Sequence, residues 1–408
     1  MLPPVLQRAP YDKDPPGWLD RSLPWGARIL ILLLMAAIPI MYVVKTARSE
    51  EGLTRLILFG KTFAGEELPE VKAMHPYLDP GDGYDGQFYA QIALDPLLHR
   101  VGISRALDTA ADYRAQRIGL PAMAYVLGLG ETAPILHVYA LLNLAFWLVL
   151  VGALAYSMPF ISARDLLCLA AILMGSGALV SIMRALTDLP STTLGFLGTV
   201  SGEGAAMALL PLAILTRPTS ALFLTRYAEL PLRNGRWGEV AVKVALIMAV
   251  PVLWNMYAIH RLGLSSGTSD NIKLPFQSWV HCVPERWHAF RALPANWEWK
   301  NVTEWESKLF DFLAPLCLMA QAAYFVVYRD WECRYWRMGA AFAVLYLCFS
   351  RATFDEYIAT ARCALPMTLA FNLRLRKQRG KTFKWWWLAG NAGLAGALHS
   401  MLSYDHFL

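Results

Sequence analysis

The acidic stretch His75–Pro96, with the sequence HPYLDPGDGYDGQFYAQIALDP, holds the residues best suited to chemistry. Its four carboxylates are those of Asp79, Asp82, Asp85 and Asp95. Three glycines and two prolines in its first half require sharp turns, and apolar residues at helical spacing after Gly86 predict a short amphipathic helix lying on a surface. A carboxylate at such a turn can deprotonate an attacking hydroxyl or coordinate a hard divalent cation.

A structural role competes with chemistry for these aspartates. Aspartate is a preferred residue just before the first turn of a helix, where its carboxylate accepts a hydrogen bond from the backbone. Asp82 or Asp85 would then only cap the predicted helix. Both interpretations stay open on the residues alone.

The composition indicates a membrane protein. Of the 408 residues, 56% are hydrophobic and 17% are charged, and the mean hydropathy is +0.36. Several apolar runs reach the length of about 20 residues that a helix needs to cross a bilayer. The net charge of +6 does not indicate nucleic acid, because the basic residues fall where cytoplasmic loops are expected. Six scattered cysteines form neither a disulfide framework nor a metal-ligand cluster.

The order of apolar runs and basic loops predicts an all-α polytopic protein with about ten or eleven transmembrane helices in a single domain, 1–408. Residues 1–28 form a basic, proline-rich cytoplasmic segment, and the apolar run that follows reads as a transmembrane helix and not as a cleaved signal. Residues 47–132 form a long first outer loop with amphipathic helices. The piece between Arg217 and Arg226 is too short to cross a membrane, so the predicted topology is strained there.

This topology places a set of ionisable residues on one side, near the ends of spans: Asp85, Arg114, Arg117, Asp188, Arg217, Glu356 and Arg362. Charges at the edge of a span are costly and therefore indicate function, although arginine also extends to lipid headgroups. The planar guanidinium of arginine suits phosphate, and a carboxylate suits an acceptor hydroxyl. Together these needs fit sugar transfer from a polyprenyl phosphate.

The run GYDGQFYAQIALDP in the first outer loop resembles the integral-membrane glycosyltransferases of the GT-C superfamily, and more narrowly the bacterial mannosyltransferase-like proteins. The pieces YRAQRIGLP, TDLP, LTRPT and EYIATAR follow in the order such proteins show. The resemblance implies a GT-C-like fold and a catalytic acid in the first outer loop. That role would fall to Asp85, which alone lies within the element Tyr-Asp-Gly-Gln. The paired acidic residues of some members are not adjacent here, so Asp82 stays an alternative.

Each remaining candidate has a structural alternative. Tyr84, Gln87 and Tyr89 would shape a sugar pocket or anchor an interfacial helix. Arg114 and Arg117 are three residues apart and so share a helical face, for phosphate or for lipid headgroups.

Asp188 acts in the site or caps the helix that follows it. Arg217 would contact the donor phosphate. Glu356 and Arg362 lie at the entrance of a span, where ion pairs with other residues are the main alternative.

The sequence therefore predicts a glycosyltransferase of the bacterial inner membrane that moves a sugar from a polyprenyl-phosphate donor to a glycan, lipid or protein acceptor at the outer face. No organic cofactor is indicated, and a divalent cation stays open. The alternative is a non-catalytic GT-C-like subunit of an assembly, or a transporter of a lipid-linked sugar. A transporter would more often show repeated halves and charges at mid-membrane, which this sequence does not.

Overall fold

The computed structural model describes residues 17–158, 160–229, 235–263, 271–293 and 299–403. Residues 1–16 of the predicted cytoplasmic segment lie outside this part of the chain. Among the described residues, the regular structure is helical apart from one parallel pair of two-residue strands, β1 (Phe59–Gly60) and β2 (Leu78–Asp79). The prediction of an all-α fold is confirmed at this level.

The α-helices follow one another along the chain as α1 (Trp25–Arg48), α2 (Pro69–Ala73), α3 (Gly86–Leu94), α4 (Ile103–Ala106), α5 (Ala111–Ala115), α6 (Gly119–Leu127), α7 (Thr132–Ser157), α8 (Ala163–Leu173), α9 (Ser176–Met183), α10 (Asp188–Val200), α11 (Glu203–Thr216), α12 (Trp237–Leu262), α13 (Trp279–Arg291), α14 (Trp299–Val327), α15 (Arg334–Leu347), α16 (Arg351–Phe354), α17 (Tyr357–Cys363), α18 (Leu365–Leu375), α19 (Gly380–Asn391) and α20 (Gly396–Ser403). A long 3₁₀ helix, Pro218–Ala228, lies between α11 and α12.

Four helices of the described chain are long and apolar enough to cross a membrane, namely α1, α7, α12 and the Glu304–Val327 part of α14. The bent pair α8 and α9, which meets at 40°, would make a fifth span. Only 22% of the most apolar window of α1 and 17% of that of α12 are buried by the chain itself. Apolar helical surface of this extent is stable against lipid but not against water, so the chain is a polytopic membrane protein. The predicted total of ten or eleven crossings requires shorter helices, such as α11, to cross as well.

The first outer loop is folded into the protein. All nine residues of α3 are buried, so the prediction that this helix lies on a surface is wrong. Its two glutamines reach backbone groups: Gln87 Oε1 accepts a hydrogen bond from Gly60 N at 2.9 Å, and Gln91 Oε1 accepts one from Leu68 N at 2.8 Å. Buried amides that are hydrogen-bonded in this way remove the need for a solvent-facing side of the helix.

The segment after Arg217 is longer than the sequence suggests because it is a 3₁₀ helix. Eleven residues at about 2.0 Å per residue span about 22 Å, against about 16 Å in an α-helix. The period of three residues places Arg217, Ser220, Phe223 and Arg226 on one face. This geometry explains how a piece that looked too short can run beside the whole of α10.

Close packing fixes the register between the 3₁₀ helix and α10. The ring of Phe223 lies so close to Gly195 that a Cβ atom there would be 2.3 Å from the ring carbons. Arg226 donates hydrogen bonds to the carbonyl oxygens of Gly198 and Ser201, at the C-terminus of α10. A cation at that end of a helix is favoured by the helix dipole.

The described chain divides into two compact units. The first comprises the described residues of Met1–Met35, Leu154–Leu179 and Asp270–Leu408, and the second comprises Ala36–Ala153 and those of Val180–Ser269. The candidate site lies in the second unit. There, α12 holds the first loop, since Trp254 Nε1 donates to Ala115 O at 2.8 Å.

The first unit contains a buried amide network between α14, α18 and α19. Gln321 donates to Gly390 O at 2.7 Å and accepts from Thr368 Oγ1 at 3.0 Å. Asn372 and Asn391 exchange hydrogen bonds of 3.0 and 3.2 Å through their side-chain amides. Every one of these amides is therefore satisfied within the membrane-protein core.

Ion pairs of the first unit join the segments around residues 20, 165, 330 and 375, which the topology prediction assigns to one side. The pairs are Arg164 with Asp20, Arg376 with Asp165 at 3.1 Å, and Arg374 with Asp330 at 3.0 Å. Arg164 also donates to Gln378 O at 3.1 Å. The contacts bring the four segments together within this unit.

Candidate active site

Glycines press the acidic turn against neighbouring backbone. A Cβ atom on Gly83, whose φ is +66°, would lie 2.4 Å from Leu58 O, and one on Gly86 would lie 2.4 Å from Arg184 O. Approaches this close exclude a side chain at either position. Asp85 stands between the two glycines at the N-terminus of α3, so the backbone that carries it is held on both sides.

The structure separates Asp85 from a capping role. Its backbone angles are helical (φ −50°, ψ −30°), whereas an N-cap residue is normally non-helical. Within the described part of the first loop, its side chain makes no capping hydrogen bond to α3, so the capping interpretation is wrong. The residue is half-buried. Asp82, by contrast, is exposed, and its carboxylate accepts a hydrogen bond from Thr62 Oγ1 at 2.8 Å.

Asp188 and Arg217 form a buried ion pair at the N-terminus of α10. Thr187 and not Asp188 occupies the N-cap position, so the capping interpretation of Asp188 is also wrong. The Asp188 side chain is 1% exposed and that of Arg217 is 10% exposed. Removing either partner would leave an uncompensated charge in a dry environment.

Arg117 is the second buried arginine of this cluster. It lies between α5 and α6, where a Cβ atom on Gly119 would be 2.4 Å from Thr216 Oγ1, so α6 begins against the end of α11. Arg117 is 2% exposed, donates a hydrogen bond to Tyr89 Oη, and has its guanidinium 4.1 Å from the ring centre of Tyr113.

Electrostatics join Arg117 to the other candidates. Burial is the largest influence and lowers the pKa of the Arg117 guanidinium, a group that proteins keep protonated. The charged and titratable groups that act on it are Tyr89, Arg217, Asp85 and Asp188. Two carboxylates and two guanidinium groups therefore share one cluster.

Tyr139 on α7 is a further member that the sequence analysis does not single out. Its hydroxyl donates to Ala185 O at 2.8 Å, and it lies within electrostatic range of Asp85, Asp188 and Arg117. One tyrosine in an apolar span carries no periodic signal, so only the fold reveals it. Arg184, at the end of α9, lies over the ring of Tyr84 at 5.6 Å from its centre.

Other predicted residues have structural partners. Arg114 and Arg117 do not share a helical face, because α5 ends at Ala115. Arg114 instead pairs with Asp108 at 3.1 Å, and its guanidinium lies 3.4 Å from the ring centre of Phe88.

Gln87 donates to Asp82 O at 2.8 Å, in addition to its bond with Gly60, and so holds the turn. Glu356 and Arg362 belong to the first unit, where Glu356 is exposed just before α17 and Arg362 lies near the end of that helix.

Some buried polar atoms of the cluster lack a partner within the described chain. They are Nε of Arg117 and Oγ1 of Thr187, on residues that are 2% and 0% exposed. Most buried polar atoms in proteins are hydrogen-bonded, and an exception needs a reason. A role in binding a polar group is one such reason.

The described residues contain no group of three or more His, Cys, Asp or Glu side chains that could hold a metal ion. Comparison with known proteins adds no assignment. No family model, curated protein or solved structure matches the chain. The chemistry of the cluster therefore rests on its own residues: a reachable carboxylate, a fixed ion pair, and two guanidinium groups suited to an anionic oxygen.

Proposed function

We propose that the protein is a membrane glycosyltransferase that moves a sugar from a polyprenyl-phosphate donor to an acceptor hydroxyl. The observation that carries the proposal is the clustering of a half-buried Asp85 with two buried arginines, Arg117 and Arg217, in a protein whose apolar helices face lipid. A carboxylate that shares a cluster with two guanidinium groups meets the two needs of this reaction, which are a base for the acceptor and stabilisation of a leaving phosphate.

In the proposed mechanism, Asp85 accepts the proton of the acceptor hydroxyl. At the same time, the oxygen of that hydroxyl forms a bond to the anomeric carbon of the sugar. The bond from that carbon to the donor phosphate oxygen breaks, and the polyprenyl phosphate leaves with the electron pair. Arg117 and Arg217 donate hydrogen bonds to the phosphate oxygens. Because the base and the leaving group act on opposite faces in a single displacement, we expect inversion at the anomeric carbon.

The charges of the cluster suit this reaction. Two aspartates and two arginines sum to zero before a ligand arrives. The proton that Asp85 takes up offsets the second negative charge that develops on the phosphate, so the total charge of the site does not change during transfer. A dry site favours such a balanced reaction, since an uncompensated charge there is costly.

The finer architecture belongs to the same proposal: a GT-C-like fold of ten or eleven spans, a cytoplasmic N-terminus, and an active site at the outer face of the bacterial inner membrane. The ion pairs that join the segments around residues 20, 165, 330 and 375 support a common side for them. Their excess of arginine and lysine supports the cytoplasm.

The test is transfer of a labelled sugar by purified protein in lipid nanodiscs supplied with polyprenyl-phosphate sugars and an extract of envelope acceptors. We expect Asp85→Asn to lower the rate at least 100-fold, as loss of a general base does. Asp82→Asn, an exposed aspartate of the same turn, is the matched control and should retain activity. Equal rates in the two variants would refute the assignment of the base. No transfer by the wild type from any donor, with lipid phosphate still bound, would favour the non-catalytic alternative.

A further inference from the structure

Asn143 is a polar residue in the middle of the buried face of a membrane span. The buried residues of this part of α7 recur at helical spacing: Leu136, Tyr139, Ala140, Asn143, Trp147 and Leu150. The opposite face carries exposed apolar side chains, such as Leu148 and Val149. Asn143 itself is 0% exposed, so its amide points into the second unit and away from lipid.

The amide of Asn143 is unsatisfied. Within the described residues, neither its Oδ1 nor its Nδ2 atom has a hydrogen-bond partner. Asn372 in the first unit is equally buried, but its amide is bonded to Thr368 and Asn391. A buried amide without partners is costly, and natural cores normally avoid one.

Two hydrogen bonds locate Asn143 relative to the candidate site. Tyr139, one turn earlier on α7, donates to Ala185 O at 2.8 Å, and Phe146 O accepts from Thr193 Oγ1 at 3.4 Å. Because residue numbers rise together along both contacts, this part of α7 runs alongside the first turns of α10. Asn143 is therefore level with the start of α10, about 6 Å along the helix from Tyr139.

The start of α10 is where the candidate site places its own unsatisfied and charged groups. Thr187, whose hydroxyl lacks a partner among the described residues, is the N-cap of α10, and Asp188 is its first residue. Asn143 thus adds a second unsatisfied side chain to the buried polar groups at the start of α10. A prenyl chain has no hydrogen-bonding group that could satisfy the amide of Asn143.

The chemistry of the amide selects among the polar parts of a lipid-linked sugar. A phosphate only accepts hydrogen bonds, so it would leave Oδ1 facing a negative charge. A hexose presents neighbouring hydroxyl groups, of which one donates to Oδ1 while another accepts from Nδ2. We infer that Asn143 binds hydroxyl groups of the sugar that is transferred. This inference rests on the proposed function and adds to it the group that distinguishes the sugar-carrying donor from the bare lipid phosphate.

The substitution Asn143→Leu tests the inference because it replaces the amide by an apolar group of nearly the same size. In the absence of ligand, removing an unsatisfied buried amide should raise the thermal midpoint by ~2 °C or more. Asn372→Leu is the matched control. It removes an amide that is already satisfied and leaves Asn391 without its side-chain partner, so the midpoint should fall.

The ligand measurement uses two probes in nanodiscs, a polyprenyl-phosphate hexose and the same polyprenyl phosphate without sugar. The wild type should be stabilised more by the sugar-carrying lipid. Asn143→Leu should be stabilised to the same extent by both lipids, and its kcat/KM for sugar transfer should fall 10- to 100-fold. Stabilisation by the bare lipid should match that of the wild type.

Three results would overturn the inference. The first is an undiminished preference of Asn143→Leu for the sugar-carrying lipid, which would leave the proposed function standing if transfer continues. The second is a thermal midpoint of Asn143→Leu that is lower than that of the wild type without ligand, which would mean that the amide is satisfied inside the protein. If the leucine variant does not fold, the ligand comparison is repeated with Asn143→Ala. The third is a wild type that responds equally to both lipids and transfers nothing, which would refute the proposed function as well.

Discussion

Glu67 offers a test of how the first loop is folded, because its carboxyl group is buried there. The residue is 6% exposed, and its Oε1 atom has no hydrogen-bond partner within the described chain. Burial raises the pKa of this carboxyl from 4.5 to about 7, and the charge of Lys72 opposes the effect only in part. The group therefore titrates near neutral pH in the folded protein.

The sign of the effect follows from the direction of this shift. A carboxyl whose pKa is higher in the folded than in the unfolded state favours folding in its protonated form. Its contribution is fully present below about pH 4.5 and is lost as the pH rises through about 7. At about 1.4 kcal/mol per pH unit, the loss amounts to at most roughly 3.5 kcal/mol. Glu67→Gln keeps a neutral amide at every pH and should remove this loss.

The assay is thermal unfolding in nanodiscs between pH 5 and pH 8.5, followed by tryptophan fluorescence. The midpoint of Glu67→Gln should exceed that of the wild type at pH 8.5, and the difference should shrink toward pH 5. Glu66→Gln alters the exposed neighbour and should keep the pH dependence of the wild type. A difference between Glu67→Gln and the wild type that does not change with pH would refute the reasoning.

Two further predictions concern packing in the second unit. Asp188→Asn and Arg217→Met should each lower the free energy of unfolding by about 3 kcal/mol or more, because each leaves a buried charge without its partner. In a double-mutant cycle followed by denaturation, the double variant should lose far less stability than the sum of the two single losses. Additive losses would contradict a specific pair. Gly195→Ala should cost about 1–3 kcal/mol because its Cβ would lie 2.3 Å from the Phe223 ring. Gly204→Ala, where the new Cβ meets nothing within 4 Å, is the control and should be neutral or stabilising, and equal losses would show that the contact is not tight.

The membrane class of the fold could be predicted from the sequence, whereas two features of its backbone could not. The helices α1, α7 and α12 are long apolar runs that are stable only in lipid, so hydropathy alone identifies them as membrane spans. The burial of α3 depends on Gln87 and Gln91 finding backbone partners far along the chain, which no local pattern reveals. The 3₁₀ conformation after Arg217 depends on packing along α10, since the sequence there has no special propensity for it.

The candidate site shows the same division between local and distant information. The topology prediction places Asp85, Arg117, Asp188 and Arg217 at span ends on one side, and the structure brings these four together. Spacing alone fails for Arg114, because it assumes a continuous helix where α5 in fact ends. Tyr139 and Asn143 carry no signal either, since a polar residue in an apolar span is not distinguishable from a satisfied core residue until its partners are known.

The two aspartates of the cluster, Asp85 and Asp188, differ in their burial and in their partners, which suits them to different roles. Asp188 is buried against Arg217, so taking up a proton would leave that guanidinium uncompensated, at a cost of about 3–5 kcal/mol. Asp85 is half-buried, and its backbone is fixed by close-packed glycines on both sides.

A base must change its charge during each turnover, and a group that positions an arginine must not. We therefore expect the role of base to fall on Asp85, while Asp188 keeps Arg217 in place for the phosphate. On this reasoning Asp188→Glu, which retains the charge, should preserve more transfer activity than Asp188→Asn. Asp85→Asn, a neutral replacement of similar shape, should abolish the activity. Equal activity of Asp188→Glu and Asp188→Asn would contradict the division.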